Sequence, residues 1–449
     1  MSSTAVVELE LTLAPTDAAP APSADPGSPP GDGPGHAERM QAIREVSWES
    51  WSVEKTVNRL IEWALEFGAT DVYFACQPEL VTVSARYLGS IVSVATLSSD
   101  YGTRCIVHIR HMAGLKLDGR RQPQDGRWTF RRLGSGRFAD LRLNTIPTLC
   151  GETMALRLLS MRPELRRLDG LGFVGPQLEA AESVLDAHGG LILVVGPTGA
   201  GKTTSMYACL HRLNDGSRKI HTIEDPIEYA VPGLHQSQVD EVLGPSFEEL
   251  LSAILRQSPD VIMVGEIRSA ATAEIAVRAA NAGNLVLATV HAPVASQAIQ
   301  SMLSLSVTPR FLATSLRAII ACRLIRKLDP ANRVAVDLSG APETFAEVRR
   351  WLHNGQGQVI YAPHESGGDP NSGYAGQTGV FEVMTFSPAL KRLVEELQTP
   401  QAITRQARHE GMLDFRQAAL LKVALGETSF EELTRVIPGD DELSDGYAE

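Results

Sequence analysis

The stretch LVVGPTGAGKTTSMYACL, residues 193–210, places a glycine-rich turn between an apolar run and a run of helix-forming residues. Residues 196–203 fit the pattern G-x-x-x-x-G-K-[ST], which requires a strand before the loop and a helix after it. Glycines let backbone N–H groups converge on phosphate oxygens, and the N-terminus of the next helix adds partial positive charge. The stretch therefore predicts a P-loop that binds a nucleoside triphosphate. The alternative is an ordinary strand-to-helix turn without a ligand.

The residues of this loop are candidate nucleotide contacts. Lys202 is expected to reach the β- and γ-phosphates, and the hydroxyl of Thr203 is expected to ligate Mg²⁺. The full set of candidates is Gly196, Pro197, Thr198, Gly199, Ala200, Gly201, Lys202, Thr203 and Thr204.

Residues 176–330 alternate apolar runs with amphipathic segments, which predicts a parallel sheet covered by helices. In such sheets, ligands bind outside the carboxyl ends of the strands. Four predicted strands end in groups suited to a magnesium nucleotide. LILVV precedes the P-loop, KIHTI precedes Glu224 and Glu228, DVIMV precedes Glu266, and NLVLATV precedes His291.

The polar groups at these strand ends have candidate catalytic roles. Glu266 ends a Walker-B-type strand and is expected near the metal and its waters, or alternatively stabilises the next helix as an N-terminal charge. Glu224 or Glu228 is a candidate to polarise the attacking water, and the other one caps the turn around Pro226. His291 is a candidate to sense the γ-phosphate or to couple neighbouring subunits, or is a structural histidine.

Composition limits the possible classes of protein. Of 449 residues, 43% are hydrophobic and 21% charged, as in globular proteins with sizeable cores. The net charge of −12 disfavours a nucleic-acid motor such as a helicase, and no nucleic-acid partner is expected. No run approaches the roughly 18 apolar residues of a membrane span, and MSSTAVVELE lacks a basic signal segment. We therefore expect a cytoplasmic protein.

Changes in composition and periodicity divide the chain into six segments. Gly68 is the expected C-cap of an amphipathic helix that begins near Val53. The predicted segments are a disordered arm rich in Pro, Ala and Gly (1–46), an N-terminal α/β domain (47–160), a linker (161–175), an ATPase core (176–330), a C-terminal region with an insert and a helical bundle (331–438), and an acidic tail (439–449).

Four motifs together resemble one family. GPTGAGKTT, TIEDPIEY, RQSPDVIMVGEIR and NLVLATVHA are similar to the Walker A, Asp box, Walker B and His box of type II secretion and type IV pilus assembly ATPases. The resemblance covers residues 52–438, because PQDGR, DLRLNTIPTLCGETMALRLL and GYAGQTGVFEVM also look like parts of that family.

The resemblance implies a fold and an assembly. It implies a mixed α/β, PAS-like N-terminal domain, a RecA-like P-loop domain with a parallel sheet, and a helical C-terminal region. It also implies a hexameric ring with ATP and Mg²⁺ between the two domains, peripheral at the inner face of the cytoplasmic membrane.

The resemblance further assigns roles to arginines of the N-terminal domain. Arg142 and Arg157, with Arg127 less firmly placed, match arginines that reach the phosphates, and surface salt bridging is the alternative for each. Arg268 and Arg323 are expected to serve packing or subunit contacts.

The chain also departs from the family pattern. The assembly members carry a tetracysteine zinc site after the ATPase core, but this chain has no cysteine after Cys322 and no CxxC pair, so we expect no zinc. The DIHIEP-like strand of the family reads DVYFAC at residues 71–76. Ser258 and Ser269 stand where the family has aspartates.

The predicted function is a motor that converts ATP hydrolysis into domain rotation and drives pilin or pseudopilin assembly through an inner-membrane platform protein. Within the class, a pilus-retraction or conjugative-transfer ATPase is the alternative. From another class, a weakly hydrolysing regulatory nucleotide-binding module remains open.

Overall fold

The computed structural model of the chain describes residues 36–117, 122–131, 138–160, 166–240, 244–364 and 371–437. Most of the predicted arm, part of the linker and the acidic tail 439–449 lie outside the described residues. Over the described ranges the chain forms a six-stranded sheet, a seven-stranded sheet and a separate two-stranded sheet. None of the helices in these ranges is both long and apolar enough to cross a lipid bilayer.

The N-terminal sheet is antiparallel throughout. Its strands are β1 (Asp71–Cys76), β2 (Leu80–Tyr87), β3 (Ser90–Ser98), β4 (Gln124–Arg131), β5 (Phe138–Thr148) and β6 (Gly151–Ser160). They pair in the order β3-β2-β1-β6-β5-β4. The half made of β1–β3 therefore joins the half made of β4–β6 through the pairing of β1 with β6. Apolar residues alternate along these strands, and one face of the sheet therefore becomes a hydrophobic core.

Three helices share that core: α1 (His36–Arg44), α2 (Val53–Phe67) and α3 (Ser99–Met112). Helix α2 begins at Ser52, whose side chain accepts a hydrogen bond from the backbone N–H of Lys55, and ends at Gly68. Gly68 has a left-handed backbone with φ of 81°, which glycine adopts without strain. The predicted helix and its C-cap are confirmed.

The prediction of a disordered arm is wrong for residues 36–46. Met40 and Ile43 of α1 are buried in the N-terminal core, and Arg44 Nε donates a hydrogen bond to the backbone oxygen of Ser93 at 3.1 Å. Two apolar residues at helical spacing are sufficient to dock this short helix, although the segment before it is rich in proline and glycine.

The second sheet contains the predicted parallel strands. Its members are β7 (Gly190–Val195), β8 (Ile220–Glu224), β9 (His235–Gln238), β10 (Val261–Val264), β11 (Leu285–Val290), β12 (Leu316–Leu328) and β15 (Tyr374–Thr385). They lie in the order β15-β12-β7-β11-β10-β8-β9, and all neighbours are parallel except β12 with β15. The predicted α/β class is confirmed.

Helices cover both faces of this sheet. Helices α4 (Gln177–Leu185) and α5 (Lys202–Leu213) pack on one face. The other face is covered by α6 (Phe247–Ile254), α7 (Ala270–Asn281), α8 (Ala295–Ser304), α9 (Pro309–Ser315), α10 (Pro388–Glu395), α11 (Pro400–His409), α12 (Phe415–Ala424) and α13 (Phe430–Val436). The C-terminal helices therefore belong to the same hydrophobic core as the central strands.

Strands β12 and β15 were not predicted. The segment 316–328 ends the predicted ATPase core, yet it is the direct neighbour of the P-loop strand β7. Strand β15 comes from the region predicted as insert and bundle, and pairs with β12 from Ala318 to Leu328. The core sheet therefore extends beyond residue 330.

The segment between β12 and β15 forms a small subdomain. Strands β13 (Arg333–Asp337) and β14 (Val359–Pro363) make an antiparallel pair, separated by a 3-10 helical segment (Pro342–Trp351). The guanidinium of Arg333 lies 3.7 Å from the centre of the Tyr361 ring and donates to the backbone oxygen of Gly426 at 2.8 Å. The cation–π contact thus joins β13 to β14, and the hydrogen bond holds this segment against the rest of the chain.

Candidate active site

The P-loop occupies the predicted position between β7 and α5. Gly199 and Gly201 have left-handed backbones, with φ of 78° and 93°, and a side chain on Gly196 would lie 2.5 Å from the backbone oxygen of Cys322. Gly201 is the N-cap of α5, and no side chain caps that end of the helix. The N–H groups of the first turn are therefore available for an anion.

Lys202, the first residue of α5, lies at the centre of the site. Its Nζ donates to the backbone oxygens of Gly196 and Pro197 at 2.7 and 3.1 Å and lies 3.5 Å from Nδ1 of His291. Burial lowers the pKa of this amine, and the charge of Glu266 opposes that shift. The lysine is held back on the loop by weak neutral acceptors that a phosphate oxygen can replace.

Glu266 connects the ends of two neighbouring strands. Its Oε1 lies 2.6 Å from Nε2 of His291, which follows β11, and its Oε2 lies 2.6 Å from Nη2 of Arg268. Arg268 also approaches Asp225, at 3.6 Å between Nη1 and Oδ2. Within this chain, Arg268, for which packing or subunit contacts were expected, pairs with Glu266 and Asp225.

Glu224 is buried and fully engaged. The residue is 3% exposed, Tyr207 Oη donates to its Oε2 at 2.5 Å, and Thr222 and Gln236 donate to its Oε1 at 2.6 and 3.1 Å. Burial, followed by the bond to Glu224, raises the pKa of Tyr207, so its hydroxyl remains a donor. The sequence analysis missed these partners of Glu224.

Glu228 has a different environment. Its side chain is 31% exposed, and its Oε2 lies 3.3 Å from Nη2 of Arg142, a residue of the N-terminal sheet. The two glutamates of the Asp box therefore differ: Glu224 is locked by three hydroxyl or amide donors, whereas Glu228 is held by an arginine from the other sheet.

Five charged residues form a row across the N-terminal sheet. Directly paired residues of antiparallel strands point to the same face, and the row runs through consecutive pairs on the face opposite the hydrophobic core. Its members, from β2 to β4, are Arg86, Asp71, Arg157, Arg142 and Arg127.

Two acids, Asp71 within the row and Asp140 beside it, form ion pairs with its arginines. Arg157 Nε donates to Asp71 Oδ1 at 3.2 Å, and Arg86 Nε lies 3.8 Å from Asp71 Oδ2. Arg127 Nε donates to Asp140 Oδ1 at 2.7 Å. Of the three predicted arginines, Arg157 lines the cavity beside the P-loop, Arg142 contacts Glu228 of that cavity, and Arg127, held by Asp140, is not among the residues that line it.

One cavity of about 630 Å³ brings these groups together. Most of the predicted site residues line it, namely Pro197, Thr198, Gly199, Gly201, Lys202, Thr203, Thr204, Glu224, Glu228, Glu266, His291 and Arg157. Gly196, Ala200 and Arg142 are not among its walls. The buried methyl of Ala200 packs beneath the loop, and Gly196 forms the bend out of β7.

Residues 47–435 match the sequence family described as "Type II/IV secretion system protein", a match that extends over most of the chain and includes every residue of the cavity. The chain belongs to that family.

Curated relatives support the same family assignment. The chain is 38% identical over 390 residues to the type IV pilus assembly ATPase PilB of Pseudomonas aeruginosa, covering 86% of this chain and 67% of that protein. It is 36% identical over 399 residues to type II secretion system protein E of Xanthomonas campestris pv. campestris, covering 88% of this chain and 69% of that protein.

Solved structures show the same fold at lower identity. The ATPase DotB of Legionella pneumophila matches with a TM-score of 0.62 and 18% identity, covering 84% of this chain and 94% of that chain. The pilus retraction motor PilT with bound ADP matches with a TM-score of 0.56 and 24% identity, covering 86% and 98%.

The serines that depart from the family pattern have structural roles. Ser269 is the N-cap of α7, accepts the backbone N–H of Thr272, and donates to Glu248 Oε1 at 2.5 Å. Ser258 ends a short helical turn with a left-handed backbone, φ 50°. Strand β1, DVYFAC, also differs from the family pattern, and in it the hydroxyl of Tyr73 accepts a hydrogen bond from Arg86 Nε at 3.1 Å.

Proposed function

We propose that this chain is an ATP-hydrolysing motor that drives pilin or pseudopilin assembly in a type IV pilus or type II secretion system. One observation carries the proposal: the P-loop lysine, the Glu266–His291 pair, Glu228 and an arginine of the N-terminal sheet converge on one cavity. The names of the curated relatives, an assembly ATPase and a secretion protein, support this function over retraction or conjugative transfer.

The cavity suits the triphosphate of ATP. The uncapped start of α5 offers backbone N–H groups, and Lys202 exchanges its carbonyl partners for the β- and γ-phosphates when the nucleotide enters. Thr203 and Glu266 line the same wall and would hold Mg²⁺, Glu266 through a water. The ion would supply positive charge against the phosphate oxygens.

Glu228 is the better candidate to orient the attacking water. Both oxygens of Glu224 already accept hydrogen bonds from buried side chains, so that its carboxylate is committed to holding the strand end. Glu228 is partly exposed in the cavity and is held by Arg142. When Arg142 leaves for a phosphate, the carboxylate of Glu228 becomes free to accept the proton of a water molecule.

Arg142 and Arg157 couple hydrolysis to domain closure. Each pairs with a carboxylate in this structure, and each lies on the face of the N-terminal sheet that carries the arginine row. Cations that approach the γ-phosphate stabilise the charge of the transition state, and cations supplied by another domain do so only when the domains close. Closure before hydrolysis and opening after phosphate release would turn chemistry into rotation.

His291 links the Walker B acid to the P-loop. It contacts Glu266 and approaches Lys202, and therefore changes partners when a γ-phosphate draws Lys202 away. The motor works as a homo-oligomer, expected to be a hexamer, against an inner-membrane platform protein at the inner face of the cytoplasmic membrane.

Steady-state phosphate release by the purified full-length chain, with Lys202→Ala as a matched folded control, tests the proposal. We expect magnesium-dependent turnover in the wild type and a loss of at least about 100-fold in the variant. A folded wild type without turnover would favour the regulatory nucleotide-binding module instead. Complementation of a deletion strain, read as pilus assembly or secretion, tests the coupled work.

A further inference from the structure

The segment that follows His291 is held by the C-terminal part of the chain. Strand β11 ends at Val290, His291 enters the cavity, and α8 begins at Ala295. Within this short stretch the backbone of Pro293 and Ala295 forms hydrogen bonds with side chains of β12 and β15. The position of the His291 backbone therefore depends on residues remote from the nucleotide.

Arg323 of β12 connects this segment to the last helix. Its Nη2 donates to the backbone oxygen of Pro293 at 3.3 Å, and its Nη1 donates to that of Val436, the last residue of α13, at 3.0 Å. Its guanidinium lies 5.3 Å from the centre of the Phe415 ring, at the start of α12. A cation at a helix C-terminus also interacts favourably with the helix dipole.

Burial of this guanidinium is expensive. Its Nε is buried and has no hydrogen-bond partner among the described residues, and burial lowers the pKa of the side chain. Arg323 is half-buried, and its hydrogen bonds to two backbone oxygens offset part of the cost of removing water from the charge. The same two bonds connect Pro293 to α13.

Glu382 of β15 reinforces the same connection. Its Oε2 accepts the backbone N–H of Ala295 at 2.9 Å, and its Oε1 accepts that of Phe415 at 3.2 Å. One carboxylate therefore holds the first residues of α8 and α12 together. In addition, the Thr404 hydroxyl of α11 donates a hydrogen bond to the Ser296 hydroxyl oxygen of α8 at 2.9 Å.

We propose that Arg323 is a positioning residue for His291: through Pro293 it makes the geometry of the His291–Glu266 pair depend on the seating of helices α12 and α13. The inference rests on the proposed role of His291 at the nucleotide. It assigns the C-terminal helices an influence on turnover through the Arg323–Pro293 contact.

The test compares Arg323→Lys with Arg333→Lys in the full-length chain. Arg333 is a matched control because it also packs on an aromatic ring, that of Tyr361, and donates to a backbone oxygen, that of Gly426. It does not contact the His291 segment. We expect Arg323→Lys to lower kcat about tenfold with less than about twofold change in KM for ATP. Arg333→Lys leaves both constants unchanged.

A double-mutant cycle separates positioning from general loosening. In a His291→Ala background, Arg323→Lys has no further effect on kcat if Arg323 acts through His291. An equal loss in both backgrounds overturns the inference and leaves the proposed function intact.

Amide hydrogen exchange provides a readout that does not depend on turnover. We expect faster exchange across residues 289–296 in Arg323→Lys than in the wild type or Arg333→Lys, and unchanged exchange there overturns the inference. If the wild type fails to hydrolyse ATP, the proposed function is contradicted, and this measurement still decides where Arg323 acts. Arg323→Gln replaces the lysine variant if the latter does not fold.

Discussion

Arg142 of the N-terminal sheet and Glu228 of the core sheet form an ion pair across the two sheets, with 3.3 Å between Nη2 and Oε2. The side chains are 32% and 31% exposed, so the pair is weak and exchangeable. In the proposed mechanism, a phosphate, with its stronger negative charge, would compete for Arg142 and release Glu228 at the same time. Arrival of the cation at the phosphate and release of the base would then be one event.

Single substitutions should distinguish the roles of the two glutamates of the Asp box, Glu224 and Glu228. Glu228→Gln is expected to lower kcat by about 10²–10⁴-fold with little change in melting temperature, because it removes a general base from a partly exposed position. Glu224→Gln should lower the melting temperature, because its amide keeps one acceptor oxygen and turns its NH2 group towards the hydroxyl of either Tyr207 or Thr222, each of which donates to a different oxygen of the carboxylate. Phosphate release and thermal unfolding measured on both variants decide, and the reverse pattern would contradict the assignment.

Asp71 pairs with Arg157 in this structure, and replacing Asp71 should favour nucleotide binding by freeing Arg157. Asp71→Asn is expected to tighten ATP binding by up to about fivefold, since the arginine of this pair is 57% exposed and such a pair contributes about 1 kcal/mol. Asp140→Asn is the control, because Asp140 holds Arg127, which does not line the cavity. Titration with a fluorescent nucleotide measures both. Equal effects of the two variants would show that general charge, rather than release of Arg157, is responsible.

The hydroxyl of Tyr207 should matter for stability more than for nucleotide affinity. Tyr207→Phe keeps the buried ring but removes a hydrogen bond to the Glu224 carboxylate. We expect the free energy of unfolding in urea to fall by about 1–3 kcal/mol, with the KM for ATP unchanged. An unaltered unfolding midpoint would mean that Glu224 does not depend on this donor.

Glu382 should make stability depend on pH. Burial raises its pKa from the ordinary 4.5 to about 7, with Asp414 raising it further and Arg408, together with the N–H groups of Ala295 and Phe415, opposing the shift. Between these values the unfolded carboxyl ionises first, so the folded state binds more protons and stability falls as pH rises. The slope is at most about 1.4 kcal/mol per pH unit.

Glu382→Gln removes this contribution. Urea unfolding of the wild type and the variant from below pH 4.5 to above pH 7 measures it: the stability difference between them should change between about 4.5 and 7 and be constant outside that window. Parallel stability profiles over the whole window would contradict the shifted pKa of Glu382.

The phosphate-binding half of the site is predictable from local sequence. The P-loop, Glu266 and His291 each follow an apolar run, and parallel strands bring their carboxyl ends to one edge of the sheet. Local pattern suffices there because the relevant residues are tied to strand ends.

The other half depends on contacts between distant segments. The pairing of Asp71 with Arg157, and of Arg142 with Glu228, follows from strand register and domain placement, which no local pattern encodes. Strand β12 escaped prediction because Arg317, Arg323 and Arg326 interrupt its apolar run, and the partner that makes it a strand, β15, lies beyond the insert. Apolar runs of this kind do not distinguish strand from helix by periodicity.

The excursion between β12 and β15 has a further consequence. Its two ends meet, since the backbone N–H of Asp329 donates to the oxygen of Gly373 at 2.9 Å, directly where the antiparallel pair β12–β15 begins. Because the two ends meet, the excursion can change in length without moving either strand, provided that Phe345, Val348 and Ile360 keep their places in the core that they share with the central strands.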